Sequence, residues 1–318
     1  MEERLSPMNI LITGGAGFIG SHLCKTFLEK GDSVICVDNF ITGSRDNIKG
    51  FLDNKKFKLI EHDISISLYN INESIDWVLH FASLASPKDY VTYPIKTLKS
   101  GLLGTHNCLG IAKAKKAKFF FASTSEVYGN PLIHPQTEEY WGNVNSIGIR
   151  SCYDESKRAG EALAYAYNRQ HAIDVRVVRI FNTYGPNMQI EDGRVVSNFI
   201  VQALKGDDLT IYGKGGQTRS FCYVSDLVCG LLQMMETDYK MPINLGNPKE
   251  FTVKELAELV LKLTKSKSKI KFMPLPEDDP QRRKPDIAKA KKLLKWQPKI
   301  SLEEGLKKTI EYFRKRLD

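Results

Sequence analysis

The sequence predicts an α/β fold: a doubly wound parallel sheet with a smaller C-terminal region. Three observations carry this. Short apolar runs alternate with helical segments through the first half of the chain. A glycine-rich turn joins the first run to the first helix. After Asn182-Thr183-Tyr184-Gly185-Pro186 the pattern loosens into short helices and loops rich in Gly, Pro and Asn.

In chain order, strands are predicted over Asn9–Thr13, Ser33–Asp38, Phe57–Glu61, Trp77–Phe81, Lys118–Ser123 and Val175–Ile180. Helices are predicted over Phe18–Lys30, Pro94–Lys115 and Tyr153–Gln170. Such alternation implies a parallel sheet with helices on both faces. The first strand runs into Gly14-Gly15-Ala16-Gly17-Phe18-Ile19-Gly20 and then a helix. Glycines there let the backbone approach a pyrophosphate, whose charge meets the amides of the helix N-terminus. The second strand ends at Asp38. A carboxylate there can accept hydrogen bonds from a ribose 2′-hydroxyl and repels a 2′-phosphate, which favours NAD over NADP. The sheet is therefore expected to be of the Rossmann type. Asp63, after the third strand, is either near the adenine or a turn-forming aspartate. Residues 1–181 are read as the NAD-binding domain. Residues 182–318 are read as mainly a substrate-binding region over the carboxyl edge of the sheet, with the chain able to cross back to it.

Composition narrows the class. The chain has 318 residues, 42% hydrophobic and 26% charged, as expected of a folded globular protein. The net charge of +9 arises within residues 254–318, which hold 19 basic and 10 acidic side chains. Lys262, Lys265, Lys267, Lys269 and the lysines from 289 to 295 have the spacing of solvated helix faces and turns, so no nucleic-acid partner is expected. No apolar run is long enough to span a bilayer and the N-terminus lacks a signal stretch. A cytoplasmic location without membrane association is the expectation. The six scattered cysteines read as buried free thiols, and the six histidines show no metal-ligand spacing, so no metal is expected.

Tyr153 and Lys157 lie four apart on a predicted helix and share a face. A lysine ammonium beside a phenol, near a cationic nicotinamide, lowers the phenol's pKa and makes the phenolate a general base. A substrate carrying a diphosphate and a carboxylate needs several guanidiniums, and Arg194, Arg219 and Arg283 are the candidates. Each by itself could be a surface ion pair. Arg219 lies in a Gly-Gly-Gln-Thr-Arg loop suited to amides facing phosphate. Asn182 can donate to a phosphate, and Tyr212 and Phe199 could sandwich a base. Lys99 and Asn107 either reach the ligand or belong to the ordinary helix surface.

Five blocks carry a family resemblance: Ser123-Thr124-Ser125-Glu126-Val127-Tyr128-Gly129; Arg150-Ser151-Cys152-Tyr153-Asp154-Glu155-Ser156-Lys157-Arg158; Asp192-Gly193-Arg194-Val195-Val196-Ser197-Asn198-Phe199; Gln217-Thr218-Arg219; and Gln281-Arg282-Arg283-Lys284-Pro285-Asp286-Ile287. From about Met8 to the C-terminal helix the chain resembles the extended short-chain dehydrogenase/reductases, NAD-dependent nucleotide-sugar enzymes. Within them it is most similar to the branch that decarboxylates UDP-glucuronate to UDP-xylose. The resemblance implies NAD held by Gly14, Gly17, Phe18, Ile19, Gly20 and Asp38. It adds Asn39, Phe40, Thr42, Asp63, Ile64, Phe81 and Ser83, together with Tyr153 and Lys157. It implies Tyr153 as base at the C4 hydroxyl, Lys157 as its tuner, and Thr124 as donor to O4. Ser125 and Glu126 would complete the catalytic group, with Glu126 near C5. Val196 and Asn198 would join the substrate residues, and Arg283 would meet the carboxylate. NAD would stay tightly bound and be regenerated each turnover. A homodimer pairing helices 94–115 and 152–170 is implied too.

The chain departs from the family at Leu84, Gly101, Ser146 and Ile149, in segments bordering the sugar. Three rival functions remain open. A UDP-N-acetylhexosamine or hexose dehydratase (4,6- or 5,6-) would use the same Tyr153, Lys157 and Glu126. Such enzymes normally pair that Glu with a preceding Asp, where this chain has Ser125, a poor acid. A C4 epimerase needs no carboxylate at 126. A non-catalytic scaffold would use the basic C-terminus to bind RNA or a partner.

Overall fold

The computed structural model describes residues 6–68, 70–274 and 282–317. Residues 1–5 of the N-terminal reading and Gln281 of the last motif lie outside the described residues. Six strands build the sheet predicted from the sequence: β1 (Asn9–Thr13), β2 (Ser33–Asp38), β3 (Phe57–Glu61), β4 (Trp77–His80), β5 (Lys118–Thr124) and β6 (Val175–Ile180). A seventh, Ile243–Leu245, pairs in parallel with β6 and returns from the C-terminal region. Three residues are too few for a periodic signal, so sequence reading missed it. The spatial order is Ile243–Leu245, β6, β5, β4, β1, β2, β3. The chain reverses beside β1, and the crevice at the carboxyl ends opens there.

Period-two alternation decides what each face meets. Ile10, Ile12, Phe120 and Val178 point to one core, and Leu11, Val78, Phe119, Phe121 and Val177 to the other. Helices α1 (Phe18–Glu29) and α6 (Val224–Glu236) cover the first face. Helices α3 (Pro94–Lys115) and α4 (Ser151–His171) cover the second and pack closely on each other. Between β4 and α3 lies the short α2 (Pro87–Thr92), started by Ser86, whose hydroxyl accepts from the Asp89 amide.

Beyond β6, α5 (Val195–Lys205) packs on the helix Val253–Thr264. A small sheet unites Glu250–Thr252, Thr218–Ser220 and Arg282–Arg283. Its register sets Arg283 beside Arg219, which brings two distant arginines to one edge of the crevice. Five of the cysteines are buried and all six are free; Cys229 alone is exposed, contrary to the uniform burial expected from its apolar surroundings. Among the described residues, no helix is long and apolar enough to cross a membrane.

Candidate active site

A cleft of about 810 Å³ follows the carboxyl edge of the sheet. Its first half is the turn between β1 and α1. Gly14 has φ +71, and a Cβ there would lie 2.7 Å from the Ala82 amide nitrogen. A Cβ on Gly20 would fall 2.0 Å from the Gly14 carbonyl oxygen. Only glycine permits this close crossing. Gly17 begins α1 without a capping side chain, so the amides of its first turn face the cleft as an anion cradle. Asp38 is buried and accepts from the Ala16 amide at 2.9 Å and the Phe40 amide at 2.9 Å. Burial raises its carboxyl, and those amides oppose the rise. Asp63 accepts from the Ser65 amide and hydroxyl and pairs with Lys96. Burial pushes its carboxyl up, but these bonds hold it below the usual range. It therefore makes a turn and lines the cleft at once. This strand, turn, helix and buried acid fit a dinucleotide.

The second half lies where β5 meets α4. Thr124 ends β5 in extended form and its side chain accepts from the Glu126 amide. It also lies beside Tyr153, whose ring stacks on Tyr90 at 5.3 Å. The phenol is pushed above its ordinary value, chiefly by burial, with Glu126 and Asp154 adding to the rise and Thr124 and Arg194 opposing it. The lowering argued from the sequence includes the charge of a nicotinamide beside the phenol, which is not among these contributions. Lys157 donates to the Ala122 carbonyl at 2.8 Å, and burial drops its ammonium to about 7. A lysine that sheds its proton near neutrality is a weak electrostatic partner for the phenol.

Glu126 sits among guanidiniums. Arg150, just ahead of α4, pairs with its carboxylate, and Arg283 does so at 3.1 Å. Burial pushes this carboxyl up, yet Arg283, Arg150 and Arg219 pull it down to about 2. Arg283 also donates to the Ser125 carbonyl and, at 3.0 Å, to the Gly129 carbonyl. At 1% exposure it is a clamp on the Glu126 turn. Behind the turn, Ser123 bonds Glu161, Glu161 pairs with Arg179, and Arg179 donates to the Tyr128 hydroxyl, which bonds Asn244. This buried chain fixes the end of β5 to the sheet.

All but three of the expected site residues line this one cleft: Gly14, Gly17, Phe18, Ile19, Gly20, Asp38, Asn39, Thr42, Asp63, Ile64, Phe81 and Ser83 along the dinucleotide half, then Thr124, Ser125, Glu126, Tyr153, Lys157, Asn182, Arg194, Val196, Asn198, Phe199, Tyr212, Arg219 and Arg283. Phe199 is 1% exposed and belongs to the core, so it forms floor, while Tyr212 stands exposed at the rim. Phe40 lies outside: its amide serves Asp38 and its ring packs 4.3 Å under Arg45. Lys99 is exposed on α3, where Lys96 and Ser100 occupy the cleft-facing stripe. Asn107 donates to the Ile64 carbonyl at 2.8 Å from beneath the loop. Sequence reading missed Arg150, Tyr90 and Lys96, which line the cleft. Arg150 was legible within its motif, three residues before Tyr153. The others depend on how α2, α3 and α4 meet.

Such a cleft, with an acidic-ended second strand at one end and a Tyr-x-x-x-Lys helix at the other, defines a dinucleotide-dependent enzyme of the short-chain dehydrogenase/reductase type. A family model described as GDP-mannose 4,6 dehydratase matches residues 11–309. The chain is 54% identical over 309 residues to UDP-glucuronic acid decarboxylase 1 of Danio rerio, covering 97% of this chain and 73% of that one. It is 55% identical over 313 residues to UDP-glucuronic acid decarboxylase 6 of Arabidopsis thaliana, covering 98% and 90%. The crystal structure of UDP-glucuronic acid 4-epimerase from Bacillus cereus, in complex with UDP-glucuronic acid and NAD, superposes with a TM-score of 0.85 at 30% identity, covering 98% and 100%. The chain belongs to this family of extended short-chain dehydrogenase/reductases.

Proposed function

We propose that the chain is an NAD-dependent decarboxylase that converts UDP-glucuronate to UDP-xylose through a 4-keto sugar. The observation that carries this is the Thr124-Ser125-Glu126 turn clamped by Arg283 and Arg150 beside Tyr153, in a chain more than half identical to UDP-glucuronic acid decarboxylases. NAD, when bound along the Gly14–Gly20 turn and Asp38, would take a hydride from C4 and return it, so it would be regenerated each turnover and stay bound.

Tyr153 removes the C4 hydroxyl proton and later restores it, helped by Thr124, which opposes the rise in its pKa. Oxidation at C4 makes the substrate a β-keto acid, and after loss of carbon dioxide Thr124 and Tyr153 face the charge gathered on O4. Arg194 and Arg219 neutralise the diphosphate. Arg150, with a side chain 17% exposed against 2% for Arg283, is the guanidinium at the cleft surface that meets the carboxylate. Arg283 holds Glu126 in place instead. Ser125 offers no carboxylic acid to a hydroxyl leaving C6, which counts against a 4,6-dehydratase.

Incubation with UDP-glucuronate should release carbon dioxide and form UDP-xylose by mass. Loss of water from UDP-N-acetylglucosamine, with no turnover of the uronate, would move the assignment to a dehydratase. Exposed Ile95, Leu98, Leu102 and Leu103 on α3 support a homodimer through the α3 and α4 helices. A monomer mass by light scattering would remove it.

A further inference from the structure

Glu126 and Arg283 lie 157 residues apart in the chain. Their pairing depends on whatever holds these two segments against each other. Arg283 leads a short stretch that Gln136 grips along one side. The Gln136 amide donates to the Lys284 carbonyl at 2.9 Å, and its side-chain oxygen accepts from the Lys284 amide at 2.9 Å. The Gln136 carbonyl accepts from the Asp286 amide at 2.8 Å. Asn244, on the strand Ile243–Leu245, completes the join. Its side-chain nitrogen donates to the Gln136 carbonyl at 3.0 Å and to the Asp286 carbonyl at 3.2 Å. Its side-chain oxygen accepts from the Tyr128 hydroxyl at 2.8 Å. Asn244, Gln136 and Tyr128 are fully buried.

Tyr128 ends the turn that carries Glu126. Arg283 holds that turn at both ends, through the Ser125 and Gly129 carbonyls, and at Glu126 between them. The contacts therefore close a ring. It runs from Arg283 to the Glu126 turn, through Tyr128 to Asn244, and back through Asp286 to Arg283. Arg283 closes one side of the ring and Asn244 the other. The chemistry at position 244 is specific. The Tyr128 hydroxyl accepts from Arg179 at 3.0 Å, so its own proton is directed to Asn244. A carboxylate at 244 could take that proton but would turn oxygen toward two carbonyls. An apolar side chain would leave all three groups unpaired in the interior. An amide supplies the one acceptor and two donors that these groups need.

We infer that Asn244 is a positioning residue for the Glu126–Arg283 clamp: it sets how far the turn bearing the acid stands from the strand bearing the guanidinium. The inference rests on the decarboxylase reading, in which that clamp lies beside the reacting sugar. Asn244 does not line the cleft, so it acts through Tyr128 and the Arg283 segment. Around Glu126 stand Arg283, Arg150 and Arg219, with Tyr153 and Asp154 on α4 and Tyr90 on α2. Among these Arg283 exerts the largest downward pull on the Glu126 carboxyl, against burial. Loosening Arg283 gives burial the upper hand and makes the acid easier to protonate.

The test compares wild type with N244A and Y128F. In wild type the Glu126 carboxyl lies at about 2, so infrared difference spectra between about pH 4 and 7 should show no carboxylic-acid band from it. N244A and Y128F should each show a new band titrating in that range, absent once E126Q is added. This readout needs no substrate. With UDP-glucuronate, each variant should lose about ten- to a hundredfold in kcat with little change in KM, the cost of a small misplacement in the site. In an R283A background the same substitutions should lower kcat little further, because the clamp they position is gone. Where N244A yields no folded protein, Y128F decides alone, since it keeps the ring and removes only the hydroxyl. A folded variant with no new band, or with wild-type kcat, makes Asn244 structural only and overturns the inference. So does a kcat loss that recurs in full beside R283A. A new band in the variants, from a wild-type protein that releases no carbon dioxide, overturns the decarboxylase reading instead.

Discussion

Gly101 of α3 lies against Ser156 of α4 so closely that a Cβ at 101 would sit 2.5 Å from both the Ser156 Cβ and its hydroxyl oxygen. A larger residue at 101 has no room while Ser156 is present. One departure from the family pattern is thus a packing partner of another small-residue choice, one residue before Lys157.

This pair sets a stability prediction. In an open helix position, Gly→Ala gains up to about 1 kcal/mol. Here overpacking, about 1–3 kcal/mol, should win, so G101A is destabilised by denaturant titration. With S156G in the same chain the obstacle is gone and G101A becomes stabilising. A G101A protein as stable as wild type with Ser156 retained would defeat the argument.

The Glu126 clamp predicts an acid-side effect. The carboxyl lies at about 2 in the folded chain against an ordinary 4.5, so its contribution is complete above about 4.5 and is lost as pH falls toward 2. E126A removes the contribution and leaves the buried Arg283 unpaired, a loss of about 3–5 kcal/mol at neutral pH. Melting curves of wild type and E126A should converge on acidification. A constant gap between them would contradict the pairing.

Much of this arrangement was readable from residues alone, and the boundary has a physical cause. The buried strands announced themselves because parallel strands covered on both faces are continuous apolar runs. Asp38 and Gly14–Gly20 were legible because strand, turn and helix are contiguous. Arg283 was found, but its register with Arg219 and its capture of Glu126 arise only when three distant segments meet. For Lys99 and Asn107, left open between ligand contact and helix surface, neither lines the cleft, because helix phase on α3 gives it to Lys96 and Ser100.

Tyr153→Phe keeps the ring that stacks on Tyr90 and removes only the hydroxyl. Turnover of UDP-glucuronate should fall by about 10²–10⁴-fold, the range for loss of a general base, with NAD still bound and the fold intact. Activity near wild type would exclude Tyr153 as the base.

Cofactor choice rests on Asp38. Its two oxygens each accept one backbone amide, from Ala16 and Phe40, which fixes the carboxylate at the end of β2. Lone pairs remain for a ribose hydroxyl, and the negative charge opposes a 2′-phosphate. Arg45, the nearby cation that could compensate such a phosphate, is paired with Glu61 and packed on Phe40. D38N keeps the shape, loses the charge, and gives up one of the acceptor oxygens. NAD should bind about ten- to a hundredfold more weakly, the worth of a charged hydrogen bond, while NADP is less affected. The measured ratio of the two affinities therefore narrows. Thermal melting separates this from damage to the turn, since a D38N protein that melts like wild type but has lost NAD has lost only the ribose contact. Equal NAD affinity in wild type and D38N would show that the carboxylate serves the backbone turn alone.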